Sequence, residues 1–276
     1  MKIQTIKNLK RERTNSFSRK TYLRLDKNEK VNNFRDILLK KINLSSFDLS
    51  AYPEVAKIYN LISKKLKISE KQVLITPGSD FGYRVCFELF CKKRKNIICL
   101  EPTFGMVEVY AKLNNLKKKG IGYDRNLKLK IHDLFKHINN KVALIILANP
   151  NSPTGTIINK ERIHEIIRKA QKFNIPVIID EAYYGFYDYS LIKEINRFKN
   201  LIILRTFSKS FGLAGLRAGY LISNETIIKE LFKFKPMYEI NSVACKVLEI
   251  FLKHKNLEKS FIKEVMDGKN YFQKEL

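Results

Sequence analysis

Acidic residues are the scarce class in this 276-residue chain: 27 Asp and Glu stand against 53 Lys and Arg, a formal net charge of +26. Such a balance raises nucleic acid or an anionic membrane surface as partners. The lysines are scattered, though, with short clusters such as Lys117-Lys118-Lys119 but no basic tail, arginine-rich tract or zinc-finger spacing. A solvated basic surface that attracts phosphorylated small molecules is the reading adopted, with no nucleic acid and no membrane as partner. Cysteine is sparse as well. Cys86, Cys91, Cys99 and Cys245 show neither C-x-x-C spacing nor a disulfide framework, which excludes a disulfide-stapled scaffold and fits a reducing compartment. The four histidines, at positions 132, 137, 164 and 254, form no ligand pair that would support a zinc centre. Long apolar runs are missing too. The longest aliphatic run, Val142 to Ala148, is far too short to cross a bilayer, and Met1 to Arg13 lacks the apolar core of a signal peptide. With only 11 Gly and 7 Pro, and 45% hydrophobic residues, the composition is that of a cytoplasmic globular protein. Its length suffices for one large core, or one domain and part of another.

What is present is an alternation of short aliphatic runs and helical patterns. Strands are expected at Val73 to Thr76, Asn96 to Leu100, residues 120–123, Val142 to Ala148, Val177 to Ile179 and Leu201 to Leu204, with a further apolar run after Arg217. Helices are expected at residues 34–42, from Pro53 onward, from Ser79 through Phe90, up to about Asn114, and at 132–138, 160–173, 225–235 and 242–254. A last amphipathic segment carries Leu257, Phe261, Ile262, Val265, Met266 and Phe272 and needs a partner surface. Almost purely aliphatic strands such as Val142 to Ala148 belong in a parallel sheet covered on both faces.

Open α/β sheets bind ligands beyond the carboxyl ends of their strands, and the polar residues of this chain collect there. Lys209 lies in the small-residue loop Arg205-Thr206-Phe207-Ser208-Lys209-Ser210-Phe211-Gly212. Two hydroxyls, Thr206 and Ser208, and two guanidinium groups, Arg205 and Arg217, suit an anion and favour a neutral, nucleophilic amine on Lys209. Ser79 follows Pro77-Gly78 at a helix start, as a phosphate cradle or as a plain N-cap. Asp180 ends a strand, facing the crevice or capping the next element. Tyr183 and Phe104 are site residues or core walls, and Tyr52, just before Pro53, packs on its own loop or reaches further.

The loop around Lys209 closely resembles the lysine segment of the pyridoxal phosphate (PLP)-dependent aminotransferases of fold type I, in particular the histidinol-phosphate aminotransferase group. Asn149-Pro150-Asn151-Ser152-Pro153-Thr154-Gly155 resembles the Asn-Pro-Asn-Asn-Pro-Thr-Gly turn of that family, with Ser152 in place of its second adjacent asparagine. Leu25-Asp26-Lys27-Asn28-Glu29, Gly78-Ser79-Asp80 and Asp180-Glu181-Ala182-Tyr183 resemble further family segments, so that five segments between positions 26 and 220 match in order. The resemblance implies an α/β fold whose mainly parallel seven-stranded sheet carries helices on both faces. It divides the chain into an N-terminal arm (1–30), a PLP-binding large domain (31–225) and the helical start of a truncated small domain (226–276). That small domain, which supplies the arginine for the substrate carboxylate in the family, is largely absent.

The resemblance also implies roles. Lys209 bears the cofactor covalently, Asp180 pairs with its ring nitrogen, and Phe104 stacks on the ring. Tyr183 bonds the phenolic oxygen together with either Asn151 or Ser152. Ser79, Asp80, Thr206, Ser208 and Arg217 hold the phosphate, and Tyr52 reaches the phosphate of the other subunit in a homodimer. The implied reaction moves an amino group between an amino acid, phosphorylated or not, and a 2-oxo acid or related carbonyl. The alternatives are decarboxylation of a phosphorylated amino acid, and a truncated PLP-binding remnant with little activity.

Overall fold

The computed structural model describes residues 9, 19, 22–32, 34 and 40–276. Most of the arm expected over 1–30 and of the helix expected over 34–42 therefore lies outside the described residues. Seven strands form one sheet in the order β1-β7-β6-β5-β4-β2-β3: β1 (Val73–Thr76), β2 (Asn96–Leu100), β3 (Lys117–Ile121), β4 (Val142–Ala148), β5 (Val177–Asp180), β6 (Leu201–Thr206) and β7 (Gly219–Ser223). The pairs β2–β3, β2–β4, β4–β5 and β5–β6 are parallel. Only β7, which runs antiparallel to both β1 and β6, departs from that sense, so the sheet is mainly parallel as expected.

Each central strand is buried on both faces, which is why its sequence is aliphatic without alternation. Leu144 and Ile146 of β4 join a core with Phe87 and Leu204, while Ile145 and Leu147 join the opposite core with Ile163, Ile166 and Phe207. Helices α3 (Gly78–Phe90), α4 (Met106–Leu113) and α7 (Glu225–Leu231) cover the first face. The second is covered by α2 (Ala56–Leu66), α5 (Ile131–His137), α6 (Lys160–Gln171) and α8 (Ser242–Lys253). Asparagine side chains start several of them: Asn159 accepts from the Arg162 amide, Asn224 from that of Ile227, and Asn241 from that of Ala244. Among the described residues there are also a short helix α1 (Ser46–Ser50), opened by a Ser45–Asp48 capping box, and a long helix α9 (Lys255–Glu275). No helix among the described residues is long and apolar enough to cross a membrane.

Several boundaries differ from expectation: β6 runs two residues past Leu204 to Thr206, α6 ends at Gln171 rather than 173 and α7 at Leu231 rather than 235, and β3 and α2 differ as well. β3 covers 117–121 rather than 120–123, because parallel pairing of Asn96 with Lys117 through Leu100 with Ile121 sets its register. As an edge strand it carries Lys117, Lys118 and Lys119, a polar run that hides the strand from a reading by hydrophobicity. Helix α2 starts at Ala56 rather than at Pro53.

The topology brings the carboxyl ends of β4, β5 and β6 side by side, since Ala148 pairs with Asp180 and Asp180 with Leu204. β1 delivers the start of α3 to the same edge, with Thr76 and Thr206 both paired to Gly219. Gly219 is required there. A Cβ on it would lie 2.5 Å from the Ser79 amide nitrogen, 2.7 Å from the Gly78 carbonyl carbon and 2.8 Å from the Arg205 oxygen, all backbone atoms that cannot swing aside. Gly219→Ala is expected to cost about 1–3 kcal/mol through overpacking, read as a lower midpoint in thermal unfolding.

Candidate functional site

Ten of the twelve expected site residues border one cavity of about 200 Å³ at this edge: Ser79, Asp80, Phe104, Ser152, Asp180, Tyr183, Thr206, Ser208, Lys209 and Arg217. The other two, Asn151 and Tyr52, do not.

One end of the cavity is built for an anion. Pro77 is the N-cap of α3 and offers no side-chain cap, so the free amides of the first turn, to which Ser79 belongs, keep their positive field. Ser79 is thus not a plain N-cap. Gly78 has a φ of 75°, and a Cβ there would stand 2.7 Å from Nη2 of Arg217, so the glycine lets that guanidinium lie against the helix start. Arg217 itself holds a left-handed φ of 49°, an uncommon state for a non-glycine residue that often marks a functional position. Its Nη1 donates to Ser208 Oγ at 3.3 Å. Thr206 Oγ1 in turn donates to Ser208 Oγ at 3.0 Å and accepts from the Ser208 amide at 3.1 Å. Asp80 shares the helix start, but its buried Oδ1 accepts no hydrogen bond from a described residue; its side chain adds negative charge, so its contribution to an anion site is its backbone amide.

Arg205, expected to share the anion, is turned away. Its Nε and Nη2 donate to Glu181 Oε2 at 3.0 and 2.8 Å, Nη2 also reaches Ser190 Oγ at 2.7 Å, and the guanidinium lies 3.6 Å from the Tyr184 ring centre. Successive strand residues point to opposite sides, so with Thr206 toward the cavity Arg205 must leave it.

The same cavity also presents a buried carboxyl group. Asp180 is 5% exposed; Oδ1 accepts from the Ala182 amide at 2.9 Å and Oδ2 from the Tyr83 hydroxyl at 2.5 Å. Burial pushes the Asp180 carboxyl above its ordinary range, and the hydrogen bonds from Tyr83 and Ala182 oppose that rise. Asp180 therefore both caps the following turn and faces the cavity. Tyr83 was not singled out in the sequence, although its i+4 spacing from Ser79 on a helix puts the two on one face.

The third group surrounds Tyr183. Its hydroxyl donates to Ser152 Oγ at 3.5 Å and accepts from Asn28 Nδ2 at 2.9 Å. Of the two candidates in the turn after β4, Ser152 is the one that borders the cavity. The Asn151 side chain is locked inside the turn, donating to the Pro102 oxygen at 2.9 Å and Thr154 Oγ1 at 2.8 Å and accepting from Thr103 Oγ1 at 2.9 Å. Asn28 is a further residue beside the site, and the backbone around it reaches the lysine: Lys209 Nζ donates to the carbonyls of Lys27 at 2.7 Å and Asn28 at 3.1 Å. Phe104 is 41% exposed and borders the cavity, so it is not core. Tyr52 is 76% exposed and stacks on Tyr238 at 4.4 Å beside a separate cavity of about 260 Å³, away from Lys209 of its own chain.

A lysine loop after β6 and an uncapped helix start after β1, on a mainly parallel seven-stranded sheet covered on both faces, match the architecture of the fold type I large domain. Residues 45–273 match the family described as aminotransferase class I and II, and the chain belongs to that family of PLP-dependent enzymes. It is 35% identical to the histidinol-phosphate aminotransferase of Clostridium novyi over 259 residues, covering 92% of this chain and 72% of that one. With the histidinol-phosphate aminotransferase of Buchnera aphidicola subsp. Cinara cedri the identity is 39% over 222 residues, 76% of this chain and 62% of the relative. The crystal structure of histidinol-phosphate aminotransferase from Sinorhizobium meliloti in complex with pyridoxal-5'-phosphate superposes with a TM-score of 0.80, covering 87% of this chain and 67% of that one at 19% identity, which shows a common fold. The chain thus spans about two thirds of the length of the relatives it matches. The names of these relatives favour the aminotransferase over the decarboxylase raised from the sequence.

Proposed function

We propose that the chain binds pyridoxal 5'-phosphate at Lys209 and transfers an amino group between a small amino compound and a carbonyl acceptor. The observation that carries this reading is that Lys209 lines one cavity together with an anion cradle and a buried carboxyl group. The donor set fits the cofactor. Thr206, Ser208, Arg217 and the start of α3 would hold its phosphate, Asp180 its ring nitrogen, Tyr183 and Ser152 its phenolic oxygen, and Phe104 would cover one ring face. When bound, the cofactor supplies an electron sink for the pair left at the substrate α-carbon. Lys209 Nζ would attach it and then move the α-proton as general base and acid.

Lys209 also borders a neighbouring cleft of about 630 Å³ walled by Phe186, Tyr187, Phe261, Met266 and Lys269, which gives the rest of an amino acid or amino-phosphate substrate a place beside the amine. Tyr52, pointing away from its own site, goes with a homodimer in which it serves the partner's cofactor. Four free cysteines agree with a cytoplasmic setting. The domain limits 1–30, 31–225 and 226–276 belong to the same reading, with the qualification that Ile228, Leu231, Ala244 and Leu248 of the last segment pack into the cores of the sheet.

Purified protein loaded with the cofactor and given an amino donor alone is expected to release about one equivalent of carbonyl product per site and to continue only when an acceptor is added. Carbon dioxide with retained amine would favour the decarboxylase instead, and bound cofactor without any product would favour the remnant. Arg217→Ala is expected to weaken PLP binding about 10- to 100-fold while changing the affinity for pyridoxal, which lacks the phosphate, by no more than about twofold, as measured by fluorescence titration.

A further inference from the structure

Tyr83 is the most demanding residue near the site, because it carries a polar atom into an apolar setting. The side chain is 1% exposed and sits on α3 in a core with Phe87, Cys86, Cys99 and Leu204. For packing alone phenylalanine would serve, whereas a buried hydroxyl costs free energy unless it is hydrogen-bonded. Its bond goes to Oδ2 of Asp180, a residue 97 positions away in sequence. That carboxylate stands on a side chain with two rotatable bonds, and the Ala182 amide fixes only Oδ1. A contact at the second oxygen stops rotation about the last bond and sets the plane of the group. The ring of Tyr83 also lies 6.0 Å from that of Phe104, so one side chain touches two of the groups around the expected cofactor ring.

We propose that Tyr83 is a positioning residue that orients the Asp180 carboxylate toward the ring nitrogen of the bound cofactor. The inference rests on the cofactor reading above and adds to it a residue that never touches the cofactor itself. The other charged groups near Asp180 are Glu181, next in the chain, and Lys209 across the cavity; neither donates a hydrogen bond to its carboxylate among the contacts of the described residues. Orientation therefore falls to the Tyr83 hydroxyl and the Ala182 amide.

The test compares two ligands on two proteins: PLP and its 1-deaza analogue, in which the ring nitrogen is replaced by carbon, on the wild type and on Tyr83→Phe. The wild type should prefer PLP. Tyr83→Phe is expected to lose about tenfold in PLP affinity and no more than about twofold in affinity for the analogue, the size of a hydrogen bond to a charged group. Equal losses for both ligands would show a merely structural tyrosine, and no loss for either would show an idle hydroxyl; both overturn the proposal. A wild type that binds neither ligand would instead refute the cofactor reading, which keeps the two failures apart. Thermal unfolding of the apo proteins checks that the variant folds. In an Asp180→Asn background, Tyr83→Phe should leave the preference unchanged within about twofold, and a tenfold change there would also overturn the proposal.

Discussion

Replacing Lys209 with alanine is expected to abolish covalent cofactor attachment and to lower turnover by at least about 10⁴-fold, because one amine serves two steps. On the proposed reading it would be both the nucleophile that holds the cofactor and the base that moves the α-proton, and a positioned proton-transfer group alone contributes about 10²- to 10⁴-fold. The anion cradle does not depend on that side chain. Arg217, Ser208 and Thr206 bond to one another, and the start of α3 is set by Gly78 and Gly219. Lys209→Ala should therefore still bind PLP non-covalently, with the absorbance of the free aldehyde form. Loss of turnover together with loss of all cofactor binding would mean that the substitution had disturbed the loop after β6 rather than removed its chemistry. Steady-state rates and a spectral titration on the same preparation separate the two.

The second large effect is expected at Asp180. Asp180→Asn keeps the shape of the side chain and removes its acid, so on the proposed reading the ring nitrogen of the bound cofactor would lose its counter-ion in a setting where charge is poorly screened. Turnover is expected to fall by about 10²- to 10³-fold, the scale of removing one preorganised electrostatic partner. The same substitution has a consequence for folding of the apo protein. Burial holds the Asp180 carboxyl above the 3.8 of an ordinary aspartate, so the unfolded chain gives up this proton at lower pH than the folded one. Between those two values the folded state binds more protons, and stability falls as pH rises. Asp180 thus contributes a loss that begins just above about pH 4 and that Asp180→Asn lacks. In the absence of cofactor, the unfolding midpoint of the wild type, relative to the variant, should drop over the interval of rising pH that opens above about pH 4. A difference that stays flat across that interval would contradict the buried placement of the carboxylate.

The central strands were legible because burial on both faces leaves little choice of residue: Asn96–Leu100 and Val142–Ala148 lie where their aliphatic runs place them. The same rule fails at the edge, where β3 uses Lys117-Lys118-Lys119 and pairing rather than hydrophobicity decides the boundary. The polar residues after the strands pointed to a site as a set, since strand ends converge on one edge of such a sheet. Their individual directions did not follow. Arg205 and Thr206 are neighbours in sequence and part company by the alternation of a strand, and Asn151 and Ser152 are separated only by the path of the turn that holds them. The contacts most invisible to a linear reading are those between distant segments. Tyr83 meets Asp180 across 97 positions and Asn28 meets Tyr183 across 155, and no local spacing records either pairing.

That Lys209 is the residue that takes the cofactor can be tested in a lysine-rich chain by reduction and mapping. The protein is loaded with PLP, treated with borohydride to make the linkage permanent, digested and analysed by mass spectrometry. The expected result is about one phosphopyridoxyl group per chain, carried by the peptide that contains Lys209. Label spread over surface lysines, or concentrated on a lysine outside the cavity, would contradict it.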